Sequence, residues 1–93
     1  MKITFDPAKR QWTLEARGLD FADAALIFQA RHISQLDDRQ EYGEKRFITY
    51  GYIGSRIVAM VWTERGTSRR IISLRKANER EQRKVREALD RPG

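Results

Sequence analysis

The sequence predicts an α+β domain in which an antiparallel sheet packs against two N-terminal helices, in the order β-α-α-β-β-β-α. Two segments in the first third have helix caps and helical apolar spacing. Strand-like segments then follow one another between residues 45 and 76, separated by glycine-containing turns. Strands joined by such short turns pair antiparallel, and 93 residues are enough for a single domain and its one core.

The first strand and helix are predicted from propensity and capping residues. Lys2 to Phe5 has the Ile, Thr and Phe content of a short strand. Asp6 and Pro7 then begin a helix, because Asp is a favoured N-cap and Pro fits the first helical position. The helix should run to about Arg17, and Gly18 should end it.

The buried faces of the two N-terminal helices are predicted from apolar spacing. In the first helix Ala8, Trp12 and Ala16 recur every four residues, which favours Trp12 as a core anchor over a base-stacking residue. A second helix should begin at Asp20 and end near Ala30. Its apolar residues at i, i+3, i+4 and i+7, joined by Leu26 or Ile27, should cover the sheet: Phe21, Ala24, Ala25 and Phe28.

The middle of the chain is predicted to form the sheet. Arg31 to Leu36 has few apolar residues and is only a candidate short strand. Lys45 to Ile53 and Arg56 to Thr63 form a hairpin around Gly54-Ser55. The second of these strands is apolar on both faces and is expected in the middle of the sheet, paired antiparallel with a strand that follows a turn at Gly66.

The last helix is predicted over Ala77 to Asp90, with few apolar residues among many charges. Two interpretations stay open. It is either a solvated terminal helix or a segment that docks on, or is displaced by, a partner.

Composition limits the classes of function. No apolar run approaches the roughly 18 residues of a membrane span, so a cytoplasmic protein with no membrane contact is expected. Without cysteine, disulfides and thiolate chemistry are excluded. The net charge of +6 is uneven, because residues 64–93 carry ten basic against five acidic residues. This asymmetry favours an anionic partner, either nucleic acid or an acidic protein.

Two features that attract a catalytic or metal hypothesis are better explained as surface residues. His32 is the only histidine, yet nothing nearby in sequence would orient its ring as a general base. The Asp37-Asp38 pair lacks the repeated ligand spacing of a metal site and is typical of a solvated turn. No metal and no cofactor are therefore expected.

The stretch from Thr63 to Lys76 is the candidate functional segment, because arginines flank an apolar strand. Strict alternation places Arg69, Ile71, Ser73 and Arg75 on one face, and Arg70, Ile72 and Leu74 on the other. Cations on a rigid strand suit a phosphate site, whereas the alternative is that they solvate an exposed face. A straight strand puts Arg75 about 20 Å from the hairpin end, so one compact site cannot hold every arginine.

Four motifs in fixed order resemble a BrnT-type toxin of bacterial type II toxin–antitoxin pairs over essentially the whole chain. They are Phe5-Asp6-Pro7-Ala8-Lys9, Gly18-Leu19-Asp20-Phe21 with Ala24 or Ala25, Arg46-Phe47, and Thr63-Glu64-Arg65-Gly66 followed by residues 70–77. The resemblance implies a RelE-like fold and a ribonuclease that halts translation. It also implies an adjacent antitoxin, BrnA, that neutralises the toxin and binds operator DNA, so the chain would meet that DNA only through the complex.

The chain departs from this family pattern at two places. The family commonly has Lys-His-Gly where Ala16-Arg17-Gly18 stands, and often Asn at the position of Thr13. If that histidine takes part in cleavage, this chain is expected to be slow, or to use the charge of Arg17 instead.

RNA cleavage assigns roles to the predicted residues. RNA carries its own nucleophile, so a site must align the 2′-hydroxyl, stabilise charge on the phosphorane-like transition state and protonate the leaving oxygen, with no metal required. Glu64 is the candidate base, and Arg65, Arg70 and Arg75 are candidates for transition-state stabilisation. Further candidates for substrate binding are Arg46, Arg69 and Lys76.

Two other functions fit the composition. A non-catalytic module that binds nucleic acid or an acidic protein would use the same basic third and would leave RNA intact. A subunit that serves mainly to oligomerise is supported only by the apolar sheet and the sparse last helix.

Overall fold

The computed structural model describes residues 2–90, which form a five-stranded sheet with helices on both faces. The strands are β1 (Lys2–Phe5), β2 (Ile33–Leu36), β3 (Phe47–Ile53), β4 (Arg56–Arg65) and β5 (Ser68–Lys76), in the spatial order β1-β5-β4-β3-β2. The helices are α1 (Pro7–Arg17), α2 (Ala24–Gln29) and α3 (Glu79–Leu89), and a 3-10 turn (Phe21–Asp23) precedes α2. None of the helices in this part of the chain is long and apolar enough to cross a membrane.

The predicted α+β class is confirmed, with two corrections to the sheet. The predicted order had one strand too few, because the candidate segment at residues 33–36 pairs with β3 as β2. The sheet is also not wholly antiparallel. Lys2 lies opposite Ser68 and Phe5 opposite Ile71 in parallel register. Parallel strands need a long connection, and the segment between β1 and β5, which includes the first two helices, provides it.

The predicted helix caps are confirmed. The Asp6 carboxylate accepts the Ala8 N–H at 2.9 Å, and Gly18 ends α1 in the left-handed region with φ of 67°. Asp20 accepts the Ala22 N–H at 2.9 Å and also pairs with Arg10 at 2.7 Å, so the predicted second helix starts as the 3-10 turn. One carboxylate thus fixes the junction between α1 and α2.

The main core lies between α2 and one face of the sheet, here called the helix face. Its members come from the Leu19–Ile27 segment and from β4 and β5: Leu19, Phe21, Ala24, Ile27, Val58, Met60, Trp62, Ile71 and Leu74. Burial of each large side chain contributes about 1.5–3 kcal/mol. The buried Trp62 indole N–H donates to Thr49 Oγ1 at 2.7 Å, so the polar group of this large core side chain has a hydrogen-bond partner.

The prediction that Trp12 anchors the core is wrong. Trp12 is 56% exposed, and the buried residue of α1 is Thr13. Helix α1 lies beside the outer edge of β5, where Arg17 donates to the Leu74 carbonyl at 2.8 Å. Because α1 packs against an edge of the sheet and not against a face, only a narrow strip of its surface is buried. The apolar residues that recur every four positions do not lie on that strip.

The opposite sheet face carries α3 at one end and is here called the arginine face. Val85 and Leu89 of α3 pack with Ala77 and Ile57, so the helix docks on the sheet. Asn78 caps α3 in a reciprocal capping box with Glu81, at 2.8 and 2.9 Å. Helix α3 thus packs on the sheet of its own chain, and the interpretation that it docks on, or is displaced by, a partner stays a prediction.

Gly51 tests how closely α2 packs on the sheet. A Cβ at this position would lie 2.9 Å from Ile27 Cγ2, which is buried and cannot rotate away. We expect Gly51→Ala to lower the free energy of unfolding by about 1–3 kcal/mol in urea denaturation. In an Ile27→Ala background the clashing methyl is absent and the added cost should fall below about 1 kcal/mol. Equal costs in both backgrounds would contradict this account of the contact.

Candidate functional site

A β-bulge at Ile72 decides which side chains of β5 share a face. Trp62 lies opposite Ile71 but Val61 lies opposite Ser73, so Ile72 is an extra residue in the ladder. As a result Ile71 and Leu74, three residues apart, both enter the helix-face core. The predicted strict alternation, which grouped Arg69 and Ile71 with Arg75, is therefore wrong.

The bulge and the strand register bring four of the predicted arginines to the arginine face. Arg70 lies opposite Thr63 and Arg75 opposite Ala59 on β4. Two others approach from the ends of β3 and β4, Arg46 and Arg65. The same face carries a small buried cluster, here called the floor: Ile48, Ala59 and Val61, with Ile72 packed against it.

Glu44 holds two of these arginines together. Its carboxylate accepts from Arg46 Nε at 3.2 Å and from Arg65 Nη2 at 3.1 Å. Desolvation would raise the pKa of Glu44, but hydrogen bonds and charge from Arg46 and Arg65 outweigh it and the pKa is lowered. Arg46 also lies over the Tyr42 ring at 4.2 Å. Both guanidinium groups are thereby fixed to the loop before β3.

Arg75 is held by the first turn of α3. Its guanidinium makes a bidentate pair with Glu81 at 2.7 and 2.9 Å, and the Tyr50 hydroxyl donates to the same carboxylate at 3.1 Å. The Arg75 hydrogen bond overcomes desolvation and lowers the pKa of Glu81 to about 2. Burial first, and then the Glu81 carboxylate, raise the pKa of Tyr50. Arg75 therefore holds the first turn of α3 against the end of β5 through Glu81.

Arg70 differs from the other three arginines of this face. Within residues 2–90 its side chain makes no hydrogen bond or ion pair with another residue. It is partly buried. An anion can reach this guanidinium without displacing a carboxylate.

The other three predicted site residues lie on the helix face. Arg69 stacks over Phe28 at 3.9 Å and faces Trp62 at 5.1 Å, and its buried Nε has no hydrogen-bond partner in the described chain. Glu64 is opposite Arg69 and exposed, and Lys76 is exposed opposite Val58. The structure thus does not bring Glu64, the candidate base, together with Arg70 and Arg75.

Arg17, which stands where the family pattern has histidine, is also away from the arginine face. Its guanidinium is 5.0 Å from the centre of the Trp12 ring and donates to the Leu74 carbonyl at the outer edge of β5. Thr13, the other departure from the family pattern, is buried.

His32 and Asp37 make local contacts. His32 Nδ1 is 2.7 Å from the Ala30 carbonyl, and its ring meets Phe28 edge to face. The buried Asp37 accepts two hydrogen bonds from Arg39 at 2.7 and 2.8 Å, and these lower the pKa of Asp37. Residues 2–90 hold no group of three or more His, Asp or Glu side chains placed to bind a metal ion.

Sequence reasoning missed the carboxylates that accompany the arginines. Glu44 is 21 residues from Arg65 in sequence, and no local pattern connects them. For Glu81 a signal was present, because Asn78 followed by Glu three residues later is a capping box that begins a helix directly after the arginine strand. It fixes Glu81 close to the end of β5.

Comparison with known proteins identifies a family. A family model described as the ribonuclease toxin, BrnT, of type II toxin–antitoxin systems matches residues 5–81. No curated protein matches the chain.

The Arg75–Glu81 pair predicts how stability depends on pH. The pKa of Glu81 is depressed from 4.5 to about 2, so its stabilising contribution is full above pH 4.5 and is lost as pH falls toward 2. Since Arg75 is 36% exposed, we expect Glu81→Gln to cost about 1–2 kcal/mol at pH 7, less than the full pKa shift implies. Urea denaturation between pH 7 and about pH 3 should show the two proteins converging in acid.

The matched control is Glu87→Gln, which removes an exposed carboxylate from the same helix. Its cost should be within about 0.5 kcal/mol at every pH. If the free energy of unfolding depended on pH equally in the two variants, the Arg75–Glu81 pair would not be the cause of that dependence.

Proposed function

The chain belongs to the BrnT family of ribonuclease toxins of type II toxin–antitoxin systems, and from this premise we propose that it is a metal-independent endoribonuclease that inhibits translation. The observation that supports the proposal most directly is the arginine face. Four arginines, Arg46, Arg65, Arg70 and Arg75, are distributed along one face of the sheet, which also carries a small apolar cluster. Such a surface favours a phosphodiester over a neutral or cationic substrate.

The proposed reaction uses the substrate's own nucleophile. The 2′-oxygen attacks the adjacent phosphorus, the bond from phosphorus to the 5′-oxygen breaks, and the products are a 2′,3′-cyclic phosphate and a 5′-hydroxyl. The transition state carries extra negative charge on the non-bridging oxygens. Arg70 and Arg75 are proposed to neutralise that charge through paired N–H donors, which is commonly the largest contribution of such a site.

Proton transfer is proposed to be the weak step. The carboxylates beside the arginines, Glu44 and Glu81, both have lowered pKa values and are poor bases near neutral pH. Glu64 lies across the sheet. We therefore assign no carboxylate base to this face, and propose that water takes the 2′-proton and supplies the proton of the 5′-oxygen, which limits the rate.

A type II toxin has a cognate antitoxin, and we propose a BrnA-like protein encoded beside this chain as that partner. The net charge of +6 favours an acidic or amphipathic binding segment. Contact with operator DNA is proposed to occur only through the antitoxin in the complex. The toxin would act on mRNA in the cytoplasm.

A non-catalytic binding module is the second candidate, and one observation favours it. Of the four arginines on this face, Arg46, Arg65 and Arg75 already have carboxylate partners, and no base of ordinary pKa accompanies them. Such a surface can bind RNA without cutting it. The product distinguishes the two functions, since a binding module leaves RNA intact.

The chemistry predicts the products and their independence of metal. Purified protein incubated with total RNA in EDTA should produce fragments with 2′,3′-cyclic phosphate and 5′-hydroxyl ends, because the arginines replace a metal as the source of positive charge. End mapping by phosphatase sensitivity and ligation distinguishes these ends from 5′-phosphates. Activity that is lost in EDTA and restored by magnesium would overturn the mechanism.

Arg75→Lys should lower cleavage by more than tenfold, which corresponds to about 1.4 kcal/mol of transition-state stabilisation. A single ammonium cannot replace a guanidinium that bonds two oxygens at once. The control is Arg69→Lys, which should reduce stability by weakening the stacking on Phe28 but leave kcat/KM of the folded protein within about threefold. If Arg75→Lys cleaves RNA at close to the wild-type rate while Glu81 keeps an ion-pair partner, Arg75 is not part of the catalytic site.

A further inference from the structure

A second concave surface lies outside the arginine face, at the outer edge of β5. Strand β1 pairs with β5 only as far as Phe5 opposite Ile71, and beyond that point α1 runs beside the edge. A cavity of about 450 Å³ fills the space between them, within the range of about 300–1,000 Å³ typical of small-ligand sites. Residues of α1, the 3-10 turn and β5 line it, among them Lys9, Trp12, Arg17, Phe21, Ile72 and Ser73.

The lining combines an exposed aromatic ring with cations. Trp12 is 56% exposed although it lines the cavity, and Arg17 lies over its ring at 5.0 Å. Arg17 is itself fixed by its hydrogen bond to the Leu74 carbonyl. Lys9 makes no ion pair within residues 2–90, and none of the described residues that line the cavity is acidic.

We infer that this cavity is a nucleotide subsite in which an unpaired base of the RNA stacks on Trp12 while Lys9 binds its phosphate. Stacking on an exposed aromatic ring next to cations is the common way in which proteins hold single-stranded nucleic acid. The inference rests on the proposed ribonuclease function. It adds a stacking contact at Trp12, which lies outside the four family motifs, and a phosphate contact at Lys9, which ends the first of them.

The position of the cavity connects it to the arginine face. Ile72 and Ser73 line it and belong to the strand that carries Arg70 and Arg75. Two residues along a strand span about 7 Å, so the cavity lies close to both arginines along the chain. A strand of RNA with its phosphate at Arg70 and Arg75 can therefore place a neighbouring base over the edge of β5.

A nucleobase fits the cavity better than an acidic peptide does. Its lining includes the apolar side chains of Phe21 and Ile72 and the Trp12 ring, which is 56% exposed and has Arg17 over it. A carboxylate could pair with Lys9 or with Arg17, which is held by the Leu74 carbonyl, but it has no planar apolar group to cover the exposed Trp12 ring and the Ile72 side chain. An apolar lining, one exposed aromatic ring and two cations match a base with its phosphate.

Tryptophan fluorescence offers a direct test. The chain has two tryptophans, and Trp62 is only 5% exposed, so an added ligand should quench Trp12 selectively. The probe is a short 2′-O-methyl oligoribonucleotide, which the proposed reaction cannot cleave. We expect quenching in the wild type. A fluorescent label on the probe gives the affinity of every variant by polarisation, and Trp12→Leu should lose roughly 5- to 150-fold, the range for one stacked base. Trp12→Phe should retain most of the affinity.

The matched control is Leu26→Ala, which removes an equally exposed apolar side chain from α2 and should not change the affinity. Circular dichroism and the unfolding midpoint establish that Trp12→Leu folds. No quenching in the wild type, or equal affinities for the wild type and Trp12→Leu, would overturn the subsite. A Trp12→Leu variant impaired only in binding the antitoxin would also overturn it, because the surface would then belong to that protein.

The result is separable from the proposed ribonuclease function. If the wild type binds the probe through Trp12 but cuts no RNA, the subsite stands and the proposed catalysis fails. If RNA is cut and Trp12→Leu keeps the wild-type KM and probe affinity, the catalysis stands and the subsite fails.

Discussion

The single extra residue in β5 is the constraint on which both the core and the candidate site depend. Without the bulge at Ile72, Ile71 and Leu74 would face opposite sides of the sheet, and one of them would leave the core. With it, two apolar side chains enter the core and Arg70 and Arg75 both reach the other face. Losing a fully buried Leu or Ile costs about 2–5 kcal/mol, so packing alone is enough to hold the bulge in place.

The fold was largely predictable because its signals are local. The caps at Asp6, Gly18 and Asp20, and the turn at Gly54, act within a few residues and are visible in sequence. Trp12 was not predictable in the same way. Its apolar spacing is helical, but whether that face meets a sheet or the edge of a strand depends on where β1 pairs, which is a contact about 65 residues away in sequence.

The candidate site was predictable as a set of cations but not as an arrangement. Arginine content and strand propensity located residues 63–76, yet the bulge reverses the faces downstream of it and cannot be read from a run of Ile-Ile-Ser-Leu. The carboxylates come from distant segments, since Glu44 precedes β3 and Glu81 begins α3. Without these carboxylates, the sequence alone predicts four arginines that repel one another. In the structure, two of them share Glu44 and a third pairs with Glu81.

The Arg75–Glu81 pair gives Arg75 a different role from that of Arg70, which lies on the same face of the sheet. A phosphate that approaches Arg75 must share or displace Glu81, which Arg75, Tyr50 and the Asn78 N–H all stabilise as the anion. Arg70 has no such competitor among residues 2–90, so the full Coulomb attraction of its cation is available to a ligand. Initial capture of a phosphate is therefore expected at Arg70, while Arg75 is oriented in advance by α3 and contributes most where negative charge increases. The difference follows from the partner each side chain has, and not from its position along the strand.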